Sequence, residues 1–180
     1  TLLGFGPPYK NVISLGHVLD KEGKKMSKSI GNVITPDYVI ERFGADVARW
    51  WFYRVSQAGE SKSFREEELK EISNGFVRVL INSLRFWQLY SKKSEARNSK
   101  NVSDFGFRIS DLTLLDRWLL SKWNSLVVSV TESLDEYDAT TASREIEKFV
   151  IEDLSNWWIR RSRDKFQSGE NNQQKDLLRF

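Results

Sequence analysis

Lys25 and Lys28 stand three residues apart in a polar run, Asp20-Lys21-Glu22-Gly23-Lys24-Lys25-Met26-Ser27-Lys28-Ser29-Ile30-Gly31-Asn32. Two ammonium groups with short hydroxyl donors between them, on a loop flanked by glycines, can surround a polyphosphate with point charges and hydrogen bonds. Nothing in the run is a base or a nucleophile. The chemistry it suits is electrostatic: neutralising charge that develops on phosphate oxygens as a leaving group departs, where one preorganised donor is worth ~2.7–4 kcal/mol. Such a loop can also close over a substrate and exclude water. An arbitrary lysine-rich loop is more often a solvated surface hairpin, so the surroundings have to decide.

A second cluster, Asp153-Leu154-Ser155-Asn156-Trp157-Trp158-Ile159-Arg160-Arg161-Ser162-Arg163-Asp164-Lys165-Phe166, sets aromatics beside arginines. That mixture suits single-stranded RNA, because unpaired bases stack on rings or guanidinium planes while arginine grips phosphate. The same residues fit a purely structural role, with basic side chains complementing a helix C-terminus and tryptophans filling a bundle. The lone histidine, His17, is a residue type suited to acid–base work, yet a single histidine leading into a loop is more often structural.

The elements that would position these groups follow from patterning. Asn11 to Val18 is a short β-prone run and predicts one buried strand leading into the loop. Thr35-Pro36-Asp37 reads as an N-cap, a first-turn proline and a first-turn acid, so a short helix should end near Phe43 at Gly44, with a second from Ala45 to about Gln57. Ser63-Phe64-Arg65-Glu66 has the form of a capping box, after which Leu69, Ile72, Phe76, Leu80, Leu84 and Trp87 recur at helical spacing over about seven turns. Residues 91 to 110 read as a solvated connection. From Asp111, the positions Leu115, Leu119, Leu126, Val130 and Leu134 mark another long helix, its buried stripe widened by Trp118 and Trp123. Asp138 or Thr140 should cap a last long helix carrying Ile146, Val150, Leu154 and Trp157, and residues 176 to 180 look like the opening of one more. The predicted fold class is mainly α: an antiparallel helical bundle preceded by a small α/β remnant.

Composition narrows the function classes. With no cysteine in 180 residues there is no disulfide framework, thiolate zinc site or cysteine nucleophile, which fits a reducing, cytoplasmic setting. A balance of 28 basic against 25 acidic residues gives a net charge of only +3, so local clusters rather than the whole-chain field must recognise any polyanion. No apolar run reaches the roughly 20 residues that span a bilayer, and no secretion signal opens the chain, so no membrane partner is expected. The chain starts at Thr1 without Met, which suggests a piece of something longer.

Lys25-Met26-Ser27-Lys28-Ser29 resembles the KMSKS signature of class I aminoacyl-tRNA synthetases, and its neighbours Gly16-His17-Val18-Leu19-Asp20, Gly23, Gly31-Asn32-Val33-Ile34, Pro36 and Gly44-Ala45-Asp46 match as well. In that family the motif follows a strand of a Rossmann-type catalytic domain. The resemblance implies that Lys25 and Lys28 are the catalytic residues, binding the ATP phosphates during adenylate formation, while Met26, Ser27 and Ser29 shape the ATP-binding loop. The His-Ile-Gly-His signature that the family also uses for ATP does not occur in these residues. Asn156-Trp157-Trp158-Ile159-Arg160-Arg161-Ser162-Arg163 is similar to an Asn-Trp-aromatic-x-Arg-x-Ser-Arg stretch in the anticodon-binding domain of isoleucyl-tRNA synthetases. It implies tRNA contacts by Trp157, Arg160, Arg161 and Arg163, with Trp157 equally able to be core. Arg42, Arg49 and Arg54 are further candidates for the tRNA stem.

On that resemblance, residues 1–58 are the end of a catalytic domain with stem-contact helices, and 62–180 the first part of a helical anticodon-binding domain. The parent would be an isoleucine-tRNA ligase using ATP and Mg2+ as substrates, with isoleucine tRNA and the rest of its own chain as partners and no metal site in this segment. Lacking the first half of the nucleotide fold, the amino-acid pocket and the editing insertion, the segment alone should be inactive, and its cut bundle should leave an exposed seam. Valyl, leucyl or methionyl specificity, or a non-enzymatic helical RNA-binding module, are the alternatives.

Overall fold

The computed structural model describes residues 4–95 and 112–168. Two short strands, β1 (Val18–Leu19) and β2 (Lys62–Ser63), pair in parallel with Val18 opposite Lys62 and Leu19 opposite Ser63. Parallel neighbours need a crossover. Here it consists of the lysine loop followed by α1 (Pro36–Phe43) and α2 (Ala45–Arg54). Gly16 makes the approach possible: a Cβ built there would lie 2.0 Å from the carbonyl oxygen of Glu60. The strand predicted from Asn11 to Val18 contracts to its final residue and Leu19. Val12 and Leu15 stay 77% and 76% exposed, because no second strand lies beside them among the described residues.

Helix α1 begins as its sequence predicts, with the Thr35 side chain accepting from the Tyr38 amide at 3.3 Å and Pro36 at the first position. Gly44, at φ 88°, ends α1 and opens α2 with no loop between them. The capping box read at Ser63 does not form. Ser63 is committed to the β ladder, and α3 (Glu66–Glu71) starts after Arg65 without a side-chain cap.

Two long helices are interrupted by π turns. Helix α3 passes through a π segment, Ile72–Val77, into α4 (Arg78–Glu95). Leu69, Ile72 and Phe76 are buried as predicted, but Leu80 and Leu84 are 42% and 50% exposed. The extra residue in the π register rotates the later turns, so Val79, Ser83, Phe86 and Tyr90 face the core instead. The helical region continues to Glu95, into the stretch read as a connection; the rest of that stretch and the helix opening read at 176–180 lie outside the described residues.

Thr113 and Asp116 form a reciprocal capping box at the start of α5 (Leu114–Asp135). Leu119 is buried, whereas Trp123 and Leu134, predicted for the buried stripe, are 38% and 52% exposed because α5 has packing partners on only part of its face. A tight turn leads to α6 (Ala139–Lys148), capped by Asp138 rather than Thr140. Helix α6 runs through a π segment, Phe149–Ile159, into α7 (Arg160–Ser168). Phe149 and Val150 are buried with Trp158 and Ile159, nine residues on. At about 3.6 residues per turn that spacing amounts to about two and a half α turns and would put the pairs on opposite faces; the π register brings them to the same one.

Two apolar clusters result. Val39, Val47, Trp51, Phe64, Leu69 and Ile72 form one beneath the lysine loop, and Phe76, Leu119, Phe149, Val150, Trp158 and Phe166 belong to the other, inside the bundle. Between them α2 is fastened to α6. The buried Glu147 carboxylate accepts from Trp50 Nε1 at 2.6 Å and Arg54 Nε at 2.7 Å, while Arg144 donates to the carbonyls of Arg54 and Val55 at 3.0 and 2.8 Å. Lys62 is buried too, and its ammonium donates to the Ser56 carbonyl, the Ser56 hydroxyl and the Gln57 carbonyl, satisfying the chain end of α2. No helix among the described residues is long and apolar enough to cross a membrane.

Candidate functional site

The lysine loop owes its shape to Asp20 and Asn32. One oxygen of Asp20 accepts the amides of Glu22 and Lys24 at 2.9 and 2.8 Å, and the other accepts from Asn32 Nδ2 at 2.8 Å. The Asn32 side-chain oxygen in turn accepts the Ser27 amide at 2.8 Å, and its Nδ2 reaches the Lys25 carbonyl at 3.3 Å. Lys25 pairs its backbone with Leu19 in an isolated bridge, and Met26 packs against the cluster below. From Ser27 the chain makes a single tight turn, closed by the Gly31 amide donating to the Ser27 carbonyl at 3.1 Å with Gly31 at φ 74°. Only a residue tolerant of the left-handed region closes a turn this way without strain.

The consequence is a rigidly framed loop with its charges outward. Lys25 and Lys28 are exposed, and among the described residues neither ammonium has a side-chain partner, whereas Lys24 is tied to Glu22 at 3.0 Å. The Ser27 and Ser29 hydroxyls are 2.8 Å apart on the same turn. All five residues predicted to handle phosphate are thus gathered on one loop, with Met26 turned inward as its anchor. His17 is exposed and contributes its carbonyl to the Lys62 amide, which is backbone pairing. A cleft of about 460 Å³ opens beside the loop between Lys21, Glu22, Lys24 and Glu66, with Ile30, Ile34 and Phe64 lining it; Lys25 and Lys28 do not face it.

Asp20 and Asn32 border the lysines in the sequence with no signature that assigns them a role. An acid twelve residues before an amide, both adjoining glycine turns, was the available signal. The hydrogen bond from Asn32, then those from the Lys24 and Glu22 amides, hold the Asp20 carboxyl below its ordinary value of 3.8. A carboxyl whose folded value is lowered stabilises the fold fully above 3.8, and that contribution disappears as pH falls through the lowered value. Asn32→Ala is therefore expected to speed hydrogen exchange at the Ser27 amide about tenfold, as one hydrogen bond's net strength implies. The unaltered chain should show a similar loosening only when acidified below pH 3.8. Unchanged exchange in both experiments would place control of the loop elsewhere.

The second candidate cluster divides by depth. Trp158 is fully buried, its Nε1 donating to the buried Asp116 carboxylate at 2.9 Å, while Trp157 next to it is 44% exposed. Arg160, Arg161 and Arg163 are exposed and make no ion pair among the described residues. Arg161 lies over the Trp157 ring at 3.7 Å. The stem candidates fare differently: Arg54 is drawn into the Glu147 and Glu71 ion pairs, Arg42 into Tyr38 and Glu66, and Arg49 into Asp46. Among the described residues no group of three or more His, Cys, Asp or Glu could hold a metal ion.

Residues 3–65 match the family described as tRNA synthetases class I (I, L, M and V), and residues 116–179 match the anticodon-binding domain of tRNA ligase. The isoleucine–tRNA ligase of Dehalococcoides mccartyi strain 195 is 42% identical over 175 residues, covering 97% of this chain and 17% of that protein. That of Clostridium novyi strain NT is 44% identical over 162 residues, covering 90% and 15%. The chain thus spans about 15–17% of the length of the curated relatives it matches. Its fold is shared with Agrobacterium radiobacter K84 agnB2 LeuRS, solved as a ternary complex with tRNA and LeuAMS, at a TM-score of 0.69, 20% identity, and coverage of 98% of this chain and 20% of that one. Mycobacterium tuberculosis methionyl-tRNA synthetase in complex with methionyl-adenylate gives 0.65 at 22% identity, over 89% and 30%.

Proposed function

The chain belongs to the class I tRNA synthetases of the I, L, M and V group, and from that premise we propose that it serves an isoleucine-tRNA ligase as the segment joining ATP-phosphate binding to tRNA recognition. Residues 1–58 are the end of the catalytic domain, and 62–180 the first part of the anticodon-binding domain. In the whole enzyme, isoleucine's carboxylate attacks the α-phosphorus of ATP, the α–β phosphoanhydride breaks, and pyrophosphate leaves with its Mg2+. Lys25 and Lys28 neutralise the oxygens on which that charge gathers, and Ser27 and Ser29 hold the turn that presents them. Trp157, Arg160, Arg161 and Arg163 meet the tRNA to which the isoleucyl group is then transferred. The enzyme works in the cytoplasm.

The observation that carries this reading is the pair of ammonium groups, without a side-chain partner among the described residues, on a loop whose backbone is held by Asp20 and Asn32. Such a loop presents charge to a polyanion without reorganising first. The isoleucine assignment is supported by the relatives' 42–44% identity.

Recognition of tRNA is tested on the chain directly by fluorescence anisotropy at near-physiological salt. A labelled transcript with the isoleucine anticodon is expected to bind at least about fivefold more tightly than the same transcript with a valine anticodon, the low end of one base's contribution. Equal affinity for the two would remove anticodon reading from this segment.

A further inference from the structure

Trp157 and Arg161 are joined by a larger construction that the sequence did not disclose. On α5, Lys122 Nζ lies 5.8 Å above the Trp118 ring. Trp118 meets Trp157 at 6.2 Å with the rings tilted by 53°, and Arg161 covers Trp157 at 3.7 Å. The resulting order is cation, indole, indole, cation, drawn from α5, the π segment and α7. The π register is what turns Trp157 outward while burying its neighbour Trp158.

Resting on the reading of this chain as tRNA-binding, we propose that this ladder is a docking platform for one unpaired nucleotide, whose base stacks on the outer face of the Arg161 guanidinium. Trp157 backs the guanidinium, Trp118 is a positioning residue that holds Trp157 in place, and Lys122 supplies charge to the neighbouring phosphate. The indole gap is closed by ring contact, so a base does not insert between the tryptophans. A guanidinium whose carbon lies 3.7 Å from an indole centroid is in stacking range on one side and offers its exposed side to a ligand, and Arg161 has no carboxylate partner among the described residues. The rim is positive, with Arg160 and Arg163 exposed on the same helix. Paired bases are already stacked on one another, so the platform selects an unpaired nucleotide over a duplex.

A planar group and a point charge are distinguished by exchanging Arg for Lys. Binding is measured by anisotropy for the chain, Arg161→Lys and Arg85→Lys, the latter an exposed arginine of α4 outside the binding residues, with a transcript whose anticodon loop is open and one in which that loop is closed by base pairing. The expected result is about a tenfold loss for Arg161→Lys on the open loop, less than twofold on the closed one, and less than twofold for Arg85→Lys on either. The salt slope of Arg161→Lys should equal the parent's, because the charge is kept. Arg161→Lys within twofold of the parent on the open loop, or an equal loss in Arg85→Lys, overturns the platform while leaving tRNA binding intact. A parent chain that binds neither transcript overturns the tRNA reading and the platform together. Matching thermal melts for the exposed substitutions separate these results from misfolding.

Discussion

A full-length ligase carrying Lys28→Ala in this segment is expected to form aminoacyl-adenylate about 10²–10³-fold more slowly, the loss seen when one preorganised charge donor is removed from a transition state. The KM for ATP should change less, because on the proposed role the negative charge facing Lys28, already present on the ATP phosphates, grows as pyrophosphate departs. The geometry separates this lysine from its neighbours. Lys28 lies on the turn closed by Gly31, exposed and unpartnered among the described residues, whereas Lys24 is held by Glu22 and Lys21 borders the adjoining cleft. Lys21→Ala should accordingly stay within about twofold of the parent, as screened surface charges do. ATP–pyrophosphate exchange measures both. A Lys28→Ala rate within threefold of the parent, or a Lys21→Ala loss of the same size, would reduce the loop to a general patch of positive charge.

What could be seen in the sequence was what neighbours in sequence decide. The glycine-flanked loop, the Thr35-Pro36 helix start and the Gly44 stop are fixed within four or five residues, and they stand where the pattern put them. Features resting on hydrogen-bond register were invisible. The two π segments leave no mark in composition, yet they replace Leu80 and Leu84 by Val79, Ser83 and Phe86 in the core and turn Trp158 rather than Trp157 into it. Ser63 looked like a helix cap because S-x-x-E is a local signal, but pairing with β1 claimed its backbone first. Arg54 looked free to meet RNA, and its partner Glu147 lies 93 residues away, beyond any local pattern.

That distant pairing leads to the second large effect, Glu147→Ala, which should lower folding stability by at least about 4 kcal/mol. Glu147 is only 8% exposed and accepts from both Trp50 Nε1 and Arg54 Nε. Deleting one partner of a buried ion pair costs about 3–5 kcal/mol because the other charge is left uncompensated. The low end applies because Arg54 is 26% exposed and keeps Glu71 at 3.1 Å, while the orphaned indole N–H adds about 1–3 kcal/mol of its own. Urea denaturation should show the loss as a lower midpoint at unchanged slope. Replacing both charges together, Glu147→Leu with Arg54→Met, should recover most of it, since an apolar pair of similar volume escapes desolvation. If the double variant were as unstable as Glu147→Ala, packing rather than uncompensated charge would explain the loss. If it recovers, its tRNA affinity becomes informative: the α2–α6 joint fixes the bundle against the lysine loop, so a chain that folds but holds that joint only by apolar contact shows whether the ion pair also aligns the two sites.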